Sequence, residues 1–306
     1  MMLNLEEYKN SLIKRYDYEP YLKYFNYKDF KGLNYDECNI NVNTDVIKGG
    51  FYYYNNETNG NLIVFVHGIG PGHLSYMKEI ETLASKGYKV FAYDMIGSGK
   101  STGGQIKGLS GAVESLDYVL DYLHDKYKNI TLIGHSLGAF ASLNIVKYKP
   151  YIKNVVAISG FLAIDLLKSM ASEPEKIIAY EKELNGYYYQ SAEEVINSLE
   201  CYKGNIMVIH SKDDPTVSPE IGINFLKKHL VKKAKYLMVD GKGHNPNYLK
   251  EAVSYMNKTF CDFNKKLKEN NMSLDDKIKY FLNIDFDKMT KQDMNVWNEI
   301  YKFIKL

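Results

Sequence analysis

The sequence predicts an α/β protein built on a mostly parallel central sheet flanked by helices. Two observations carry that expectation. From residue 61 onward, short apolar runs alternate with amphipathic stretches, the order that strands joined through crossover helices produce. The runs themselves are LIVFV (62–66), KVFAYD (89–94), ITLIG (130–134), VVAIS (155–159), IMVIH (206–210) and YLMVD (236–240). They are rich in Val, Ile and Tyr and show no polar alternation, which fits strands buried on both faces.

Residues 1–60 are the least patterned. Within them, 39–43 and 46–54 read as strands that join the sheet antiparallel at its edge. Between the first two apolar runs, Met77, Ile80, Leu83 and Ala84 recur at helical spacing and Gly87 follows as a stop. Val113, Leu116, Leu120 and Leu123 form a second helical stripe ahead of the third run, and the AFASLNIVKY that follows that run is helix-compatible. The interval 161–200 is too long for an ordinary connection and is itself helical in pattern, with Ser191 and Glu194 spaced as a capping box. An insertion of that size reads as a cap over a site. Beyond 262 the chain turns charged (NKKLKENN) and then gives two amphipathic helices, the second carrying Met294, Trp297, Tyr301 and Ile304. The expected division is therefore a core of 1–160 and 201–261, a helical cap of 161–200 and a C-terminal helical extension of 262–306.

Composition narrows the function. At 306 residues the chain suits one sizeable core. Its 39 basic and 37 acidic residues leave a net charge of +2, too little for a field that gathers nucleic acid or an acidic membrane. Cys38, Cys201 and Cys261 are odd in number and far apart, which suggests free thiols in a reducing compartment and no zinc site. There is no apolar run of about 18 residues and no signal-peptide pattern. The expectation is a soluble cytoplasmic protein without stable membrane insertion, metal or cofactor, and with its oligomeric state open.

The third apolar run leads directly into Gly134-His135-Ser136-Leu137-Gly138. A GxSxG sequence between a buried strand and a helix describes a sharp, strained turn that projects the serine hydroxyl at the carboxyl end of a sheet. Ser136 is thus the candidate nucleophile. A serine hydroxyl needs an adjacent base, itself oriented by an acid. The fifth run ends in HSKDDPTVSP, placing Asp213 and Asp214 at a strand end, and the sixth ends in DGKGHNPN, placing His244 in a glycine-bounded loop. Of the other histidines, His67 and His135 lie in glycine turns, His124 and His229 read as surface residues, His210 reads as a core histidine, and His73 is a candidate for the pocket wall. A tetrahedral oxyanion needs preorganised N–H donors. Leu137, next after the serine, and Ile69, in the turn His67-Gly68-Ile69-Gly70-Pro71-Gly72, are the candidates.

In these motifs the chain resembles the α/β-hydrolase family. The HGxG turn at 67–70, the DxxGxGxS loop at 94–101, the GHSLG elbow, the DxxV segment at 214–217 and the late GH at 243–244 occur in the family's order. The resemblance spans about 60–260 and is closest to the branch of monoacylglycerol lipase-like and serine aminopeptidase-like enzymes. It implies an α/β-hydrolase fold, a cap inserted after the fourth run, and Asp214 rather than Asp213 as the acid. Two departures stand out: Ser211 occupies a position usually held by glycine, and the family does not require the tail after 262.

The function expected is serine hydrolysis of a carboxylic ester, thioester or amide through Ser136, Asp214 and His244 and an acyl-enzyme. The substrate would be a small, partly apolar acyl compound, with Phe161, Leu162, Leu166, Leu167, Met170 and the 187–189 tyrosines of the cap as candidate pocket residues. The same triad serves acyltransferases, carbon–carbon bond hydrolases and peptidases. A ligand-binding or signalling module on a hydrolase scaffold is the alternative outside enzymology. A nucleotide-binding reading of DMIGSGKSTGG (94–104) fails on spacing: GxxxxGK[ST] wants glycine at position 94, which is Asp. That aspartate is expected to tie down the turn through local hydrogen bonds.

Overall fold

A computed structural model describes residues 4–55, 60–230 and 234–305, without the side chains of Ser169 and Met170. The strands are β1 (Asn34–Val42), β2 (Asp45–Tyr53), β3 (Leu62–Val66), β4 (Lys89–Tyr93), β5 (Ile130–His135), β6 (Asn154–Ile158), β7 (Asn205–Ser211) and β8 (Ala234–Val239). They form one sheet in the order β1-β2-β4-β3-β5-β6-β7-β8. The β1–β2 and β2–β4 pairs are antiparallel, and all later pairs are parallel. All six apolar runs are strands within two residues of their expected ends, and the two early segments form the antiparallel edge.

The absence of polar alternation has its cause in two covered faces. Leu62, Val64 and Val66 of β3 belong to one buried cluster, and Ile63 and Phe65 to the other. The first face carries α3 (Gly111–His124), α4 (Leu137–Asn144), α6 (Ala192–Cys201) and α7 (Ile223–His229); the second carries α2 (Met77–Ala84) and α11 (Met294–Ile304). Side chains pointing to either side of the sheet are therefore removed from water.

Between β6 and β7 stand a 3₁₀ stretch (Ile164–Met170), α5 (Pro174–Asn185) and α6. Ser191 caps α6 as expected, in a reciprocal box with Glu194. The C-terminal end is organised differently from the expected extension. Helix α8 (Lys250–Glu269) runs unbroken through residue 262. The charged stretch is its exposed end, followed by α9 (Leu274–Leu282) and α10 (Phe286–Met289). Helix α11 then returns to the sheet, where Trp297 and Ile300 have no exposed surface and Tyr301 donates to the Thr82 carbonyl at 2.8 Å. It is a core helix, because its buried stripe completes the second face beside α2.

One element was not foreseen. Helix α1 (Leu5–Leu12) carries its own capping box at Asn4 and Glu7 and packs on the inserted helix α5, with Lys9 Nζ 4.1 Å from the Tyr180 ring centre. No helix among the described residues is long and apolar enough to cross a membrane.

Candidate active site

Strand β4 lies on one side of β3 and β5 on the other, so the chain reverses its direction of winding between β3 and β5. Ligand sites of open α/β sheets form outside the carboxyl ends of the strands at such a point. Here the HGIG turn leaves β3 and the GHSLG elbow leaves β5.

Ser136 sits at the elbow with φ 55° and ψ −118°, a left-handed backbone that costs on the order of 1–3 kcal/mol for a non-glycine residue. The flanking glycines make it attainable. A Cβ on Gly134 would fall 2.2 Å from the Gly138 carbonyl oxygen, and one on Gly138 would fall 2.0 Å from that of Val66. The elbow is as tight as backbone contact permits. Leu137 is the first residue of α4, so its N–H has no intrahelical acceptor.

His244 Nδ1 lies 2.8 Å from Asp214 Oδ2. The other carboxylate oxygen accepts the Thr216 and Val217 N–H groups at 2.9 and 3.0 Å. Oδ2 also faces His210 Nε2 at 3.1 Å. Burial would raise the Asp214 carboxyl, but its hydrogen bonds to His210 and His244 outweigh that and hold it well below the usual range. An ionised Asp214 fixes the proton of neutral His244 on Nδ1 and leaves Nε2 as the basic nitrogen.

The loop that carries His244 is held from three sides. Asp213 accepts the N–H groups of Gly241, Lys242 and Gly243 at 2.9, 3.2 and 3.3 Å, and the Ser211 hydroxyl at 2.5 Å. Ser211 Oγ in turn accepts from Lys242 N at 3.2 Å, a bond that the usual glycine would lack. His135 Nε2 lies 2.8 Å from the His244 carbonyl oxygen, which can only accept. His135 Nδ1 is therefore the acceptor for the Tyr76 hydroxyl at 3.0 Å, while that hydroxyl accepts the Gly68 N–H at 3.1 Å. Burial, then the neighbouring His244, lowers the His135 pKa to about 3 and keeps the ring neutral. From the far side, Lys242 Nζ pairs with buried Asp293, the N-cap of α11, and donates to the Pro246 carbonyl at 3.2 Å.

Ser136, Leu137, His244 and Ile69 open on one cavity of about 410 Å³. Its remaining wall comes from the insertion (Phe161, Ile164, Leu167, Lys168, Ala171, Pro174, Ile177, Ile178), from Leu109, from Thr216, Val217 and Ile221, and from Tyr8 and Leu12 of α1. Among the expected cap residues, Phe161 and Leu167 line it. Leu162 and Leu166 pack into the core instead, and Tyr187 and Tyr188 cluster with Tyr148 away from the cavity. The Met170 side chain lies outside the described residues.

The 94–104 loop holds no phosphate cradle, because its N–H groups are spent internally. Gly97 N donates to Thr102 O, Gly99 N to Tyr16 O and Ser101 N to Ser98 O. Lys100 N donates to Asp94 Oδ2 at 2.8 Å. Asp94 does tie down its turn, and it also takes the His73 N–H and ring Nδ1 at 2.8 and 2.6 Å. Burial would raise this carboxyl, but the His73 and His67 rings bring it down to about 2. His73 is thereby buried against Asp94 and Tyr52 and does not reach the cavity wall. Among the described residues no cluster of three or more His, Cys, Asp or Glu side chains could hold a metal ion.

The model of the serine aminopeptidase S33 family matches residues 58–187, which include the HGIG turn, the elbow and most of the insertion. Phospholipase YtpA of Bacillus subtilis is 28% identical over 109 residues, covering 34% of this chain and 42% of that protein. A Pyrococcus furiosus esterase superposes with a TM-score of 0.58 at 19% identity over 84% of this chain and 97% of that one. The chain is an α/β-hydrolase. Est1E of Butyrivibrio proteoclasticus, in a structure with ferulic acid bound, shares the hydrolase fold with a TM-score of 0.56 at 20% identity, covering 73% and 97% of the two chains.

The hydrolase brings together all five residues that its sequence singled out. Ser136, His244, Ile69 and Leu137 meet at one cavity, with Asp214 directly behind His244. Sequence reasoning missed three contributors. His210 reads as a core histidine and is one, but its ring also faces the Asp214 carboxylate. Asp213 is the second half of an Asp-Asp pair in which both members work, one on the loop backbone and one on the imidazole. Tyr8 and Leu12 carried no signal beyond an amphipathic N-terminal segment, since nothing local says which face of the molecule such a helix will cover.

Proposed function

We propose that the protein hydrolyses carboxylic esters of apolar acids, with Ser136 as nucleophile, His244 as general base and acid, and Asp214 as the group that orients the imidazole. The observation that carries this reading is that Ser136, on its strained elbow, shares an apolar cavity with a histidine already bonded to an ionised carboxylate. His244 Nε2 takes the Ser136 hydroxyl proton as Oγ bonds to the substrate carbonyl carbon. The carbonyl electron pair moves onto oxygen, where the Ile69 and Leu137 N–H groups stabilise the charge. Protonated His244 then delivers its proton to the leaving alcohol as the C–O bond breaks. Water repeats the sequence on the acyl-enzyme, with His244 again accepting the proton, and releases the acid. Thioesters and activated amides of the same acids fit the same steps. The apolar wall formed by the insertion holds the acyl chain and keeps bulk water from the oxyanion.

The test uses p-nitrophenyl esters and a fluorophosphonate probe on the purified full chain. Wild-type protein is expected to turn over the esters and to take one label at Ser136. Ser136→Ala is expected to lose the label and at least about a thousandfold in kcat, since removing the nucleophile leaves only binding and oxyanion stabilisation. Ester hydrolysis that survives Ser136→Ala undiminished, or a wild-type protein that neither labels nor turns over any ester, overturns the assignment.

A further inference from the structure

Helix α1 lies outside every hydrolase motif, yet Tyr8 and Leu12, one turn apart on its inner face, form part of the cavity wall beside Leu109, Ile177 and Ile178. The segment that carries them is fastened at both ends. On the core side, Arg15 donates from Nη1 to the Ser101 and Gly103 carbonyls at 3.1 and 2.7 Å and from Nη2 to that of Gly99 at 2.7 Å. The backbone of Tyr16 adds one bond to Gly97 at 3.1 Å and receives one from Gly99 at 2.7 Å. The turn that resembles a nucleotide loop thus serves as the dock for the N-terminal segment.

On the cap side, Leu5 N donates to Glu173 at 3.1 Å and the Tyr8 hydroxyl to the buried Glu181 at 2.5 Å. The Glu181 carboxylate also receives the Leu109 and Ser110 N–H groups at 2.9 and 3.4 Å. One carboxylate of α5 therefore holds α1, the segment entering α3 and the insertion together. A tyrosine whose hydroxyl is committed in this way has a fixed ring, and a leucine one turn on along a fastened helix has a fixed position. Both are properties of a wall that measures what fits, in contrast to a lid that yields.

We propose that α1 is the gauge of acyl-chain length, with Tyr8 and Leu12 setting how long a single acyl chain the cavity accepts. The proposal rests on the ester-hydrolase reading and names its substrate class. A cavity of about 410 Å³ lies toward the small end of the roughly 300–1,000 Å³ typical of small-molecule sites. It suits the ester of one medium-length acid and has no room for the paired long chains of a diacyl lipid.

The experiment measures kcat/KM for p-nitrophenyl acetate, octanoate, decanoate and palmitate with wild type, Leu12→Trp, Leu12→Ala and Tyr8→Ala, all as full chains. Each buried methylene is worth about fourfold in kcat/KM. Wild type is expected to peak at octanoate or decanoate. Leu12→Trp should lower the decanoate-to-acetate ratio by at least about tenfold, the equivalent of two lost methylenes. Leu12→Ala and Tyr8→Ala should move the optimum the other way, toward palmitate. Ratios unchanged from wild type in folded Leu12→Trp and Leu12→Ala overturn the gauge while leaving the hydrolase assignment intact. If thermal melting shows that Leu12→Trp does not fold, the direction of the Leu12→Ala shift decides. An absence of activity on every ester in the wild type, with no fluorophosphonate label, sinks the underlying assignment instead.

Discussion

At Asp214 four donors converge on one side chain: two backbone N–H groups, His210 and His244. Its replacement therefore separates charge from shape. Asp214→Asn preserves the volume but offers an amide that cannot hold the His244 proton on Nδ1, so kcat is expected to fall on the order of 10⁴-fold. Steady-state kinetics, with circular dichroism as the control for folding, checks this; a loss of less than tenfold would remove Asp214 from the proposed triad. A second buried carboxyl makes a prediction about pH. Glu79, 2% exposed, accepts from Asn247 Nδ2 at 3.2 Å just behind the His244 loop. Burial pushes it from its ordinary 4.5 up to about 7. The folded protein therefore binds this proton more tightly than the unfolded chain does. Its contribution to stability is fully present below pH 4.5 and is lost as pH rises through about 7, a change on the order of 3 kcal/mol. Glu79→Gln should flatten that part of the urea-derived stability profile and make the protein more stable than wild type at pH 8. A variant with the wild-type pH slope would show that Glu79 ionises freely.

At the scale of elements, the elbow and the last helix make opposite demands on space. The elbow requires its absence: Gly138→Ala would place Cβ 2.0 Å from the Val66 carbonyl oxygen, forcing α4 off β3. Backbone atoms have little freedom to yield there, so at least the roughly 1–3 kcal/mol of an overpacked core is expected, together with loss of Ser136 labelling. Helix α11 requires mass. Trp297 has no exposed surface and donates from Nε1 to Gln292 at 2.8 Å, so Trp297→Ala should cost roughly 3–5 kcal/mol in a urea titration. A cost below 1 kcal/mol would mean that α11 is an appendage after all. Because Asp293 at its N-terminus pairs with Lys242, two residues before His244, the same helix also backs the catalytic loop.

For the molecule as a whole, the N-terminal segment joins parts that the order of motifs keeps separate. Arg15→Ala removes three hydrogen bonds from a cation to backbone carbonyls of the 97–104 loop. With partial exposure screening the charge, a loss of about 2 kcal/mol is expected. Faster amide exchange should appear in both 5–12 and 97–103. Faster exchange in only one of these would show that the two do not depend on each other.

The sequence by itself determined the strands, the elbow, the order of the triad candidates and the presence of an insertion. Each of these is written in neighbouring residues: a run of Val and Ile buried on two faces, glycines where no Cβ fits, an Asp and a His just past strand ends. Only the tertiary structure decided that α11 belongs to the core, that Ser211 and Asp213 secure the histidine loop, that the 187–189 tyrosines face away from the cavity, and that α1 completes it. Those facts depend on contacts such as Tyr8 with Glu181, 173 residues apart. An amphipathic helix records in its sequence that one face will be buried, but the partner is chosen by the packing of the whole chain.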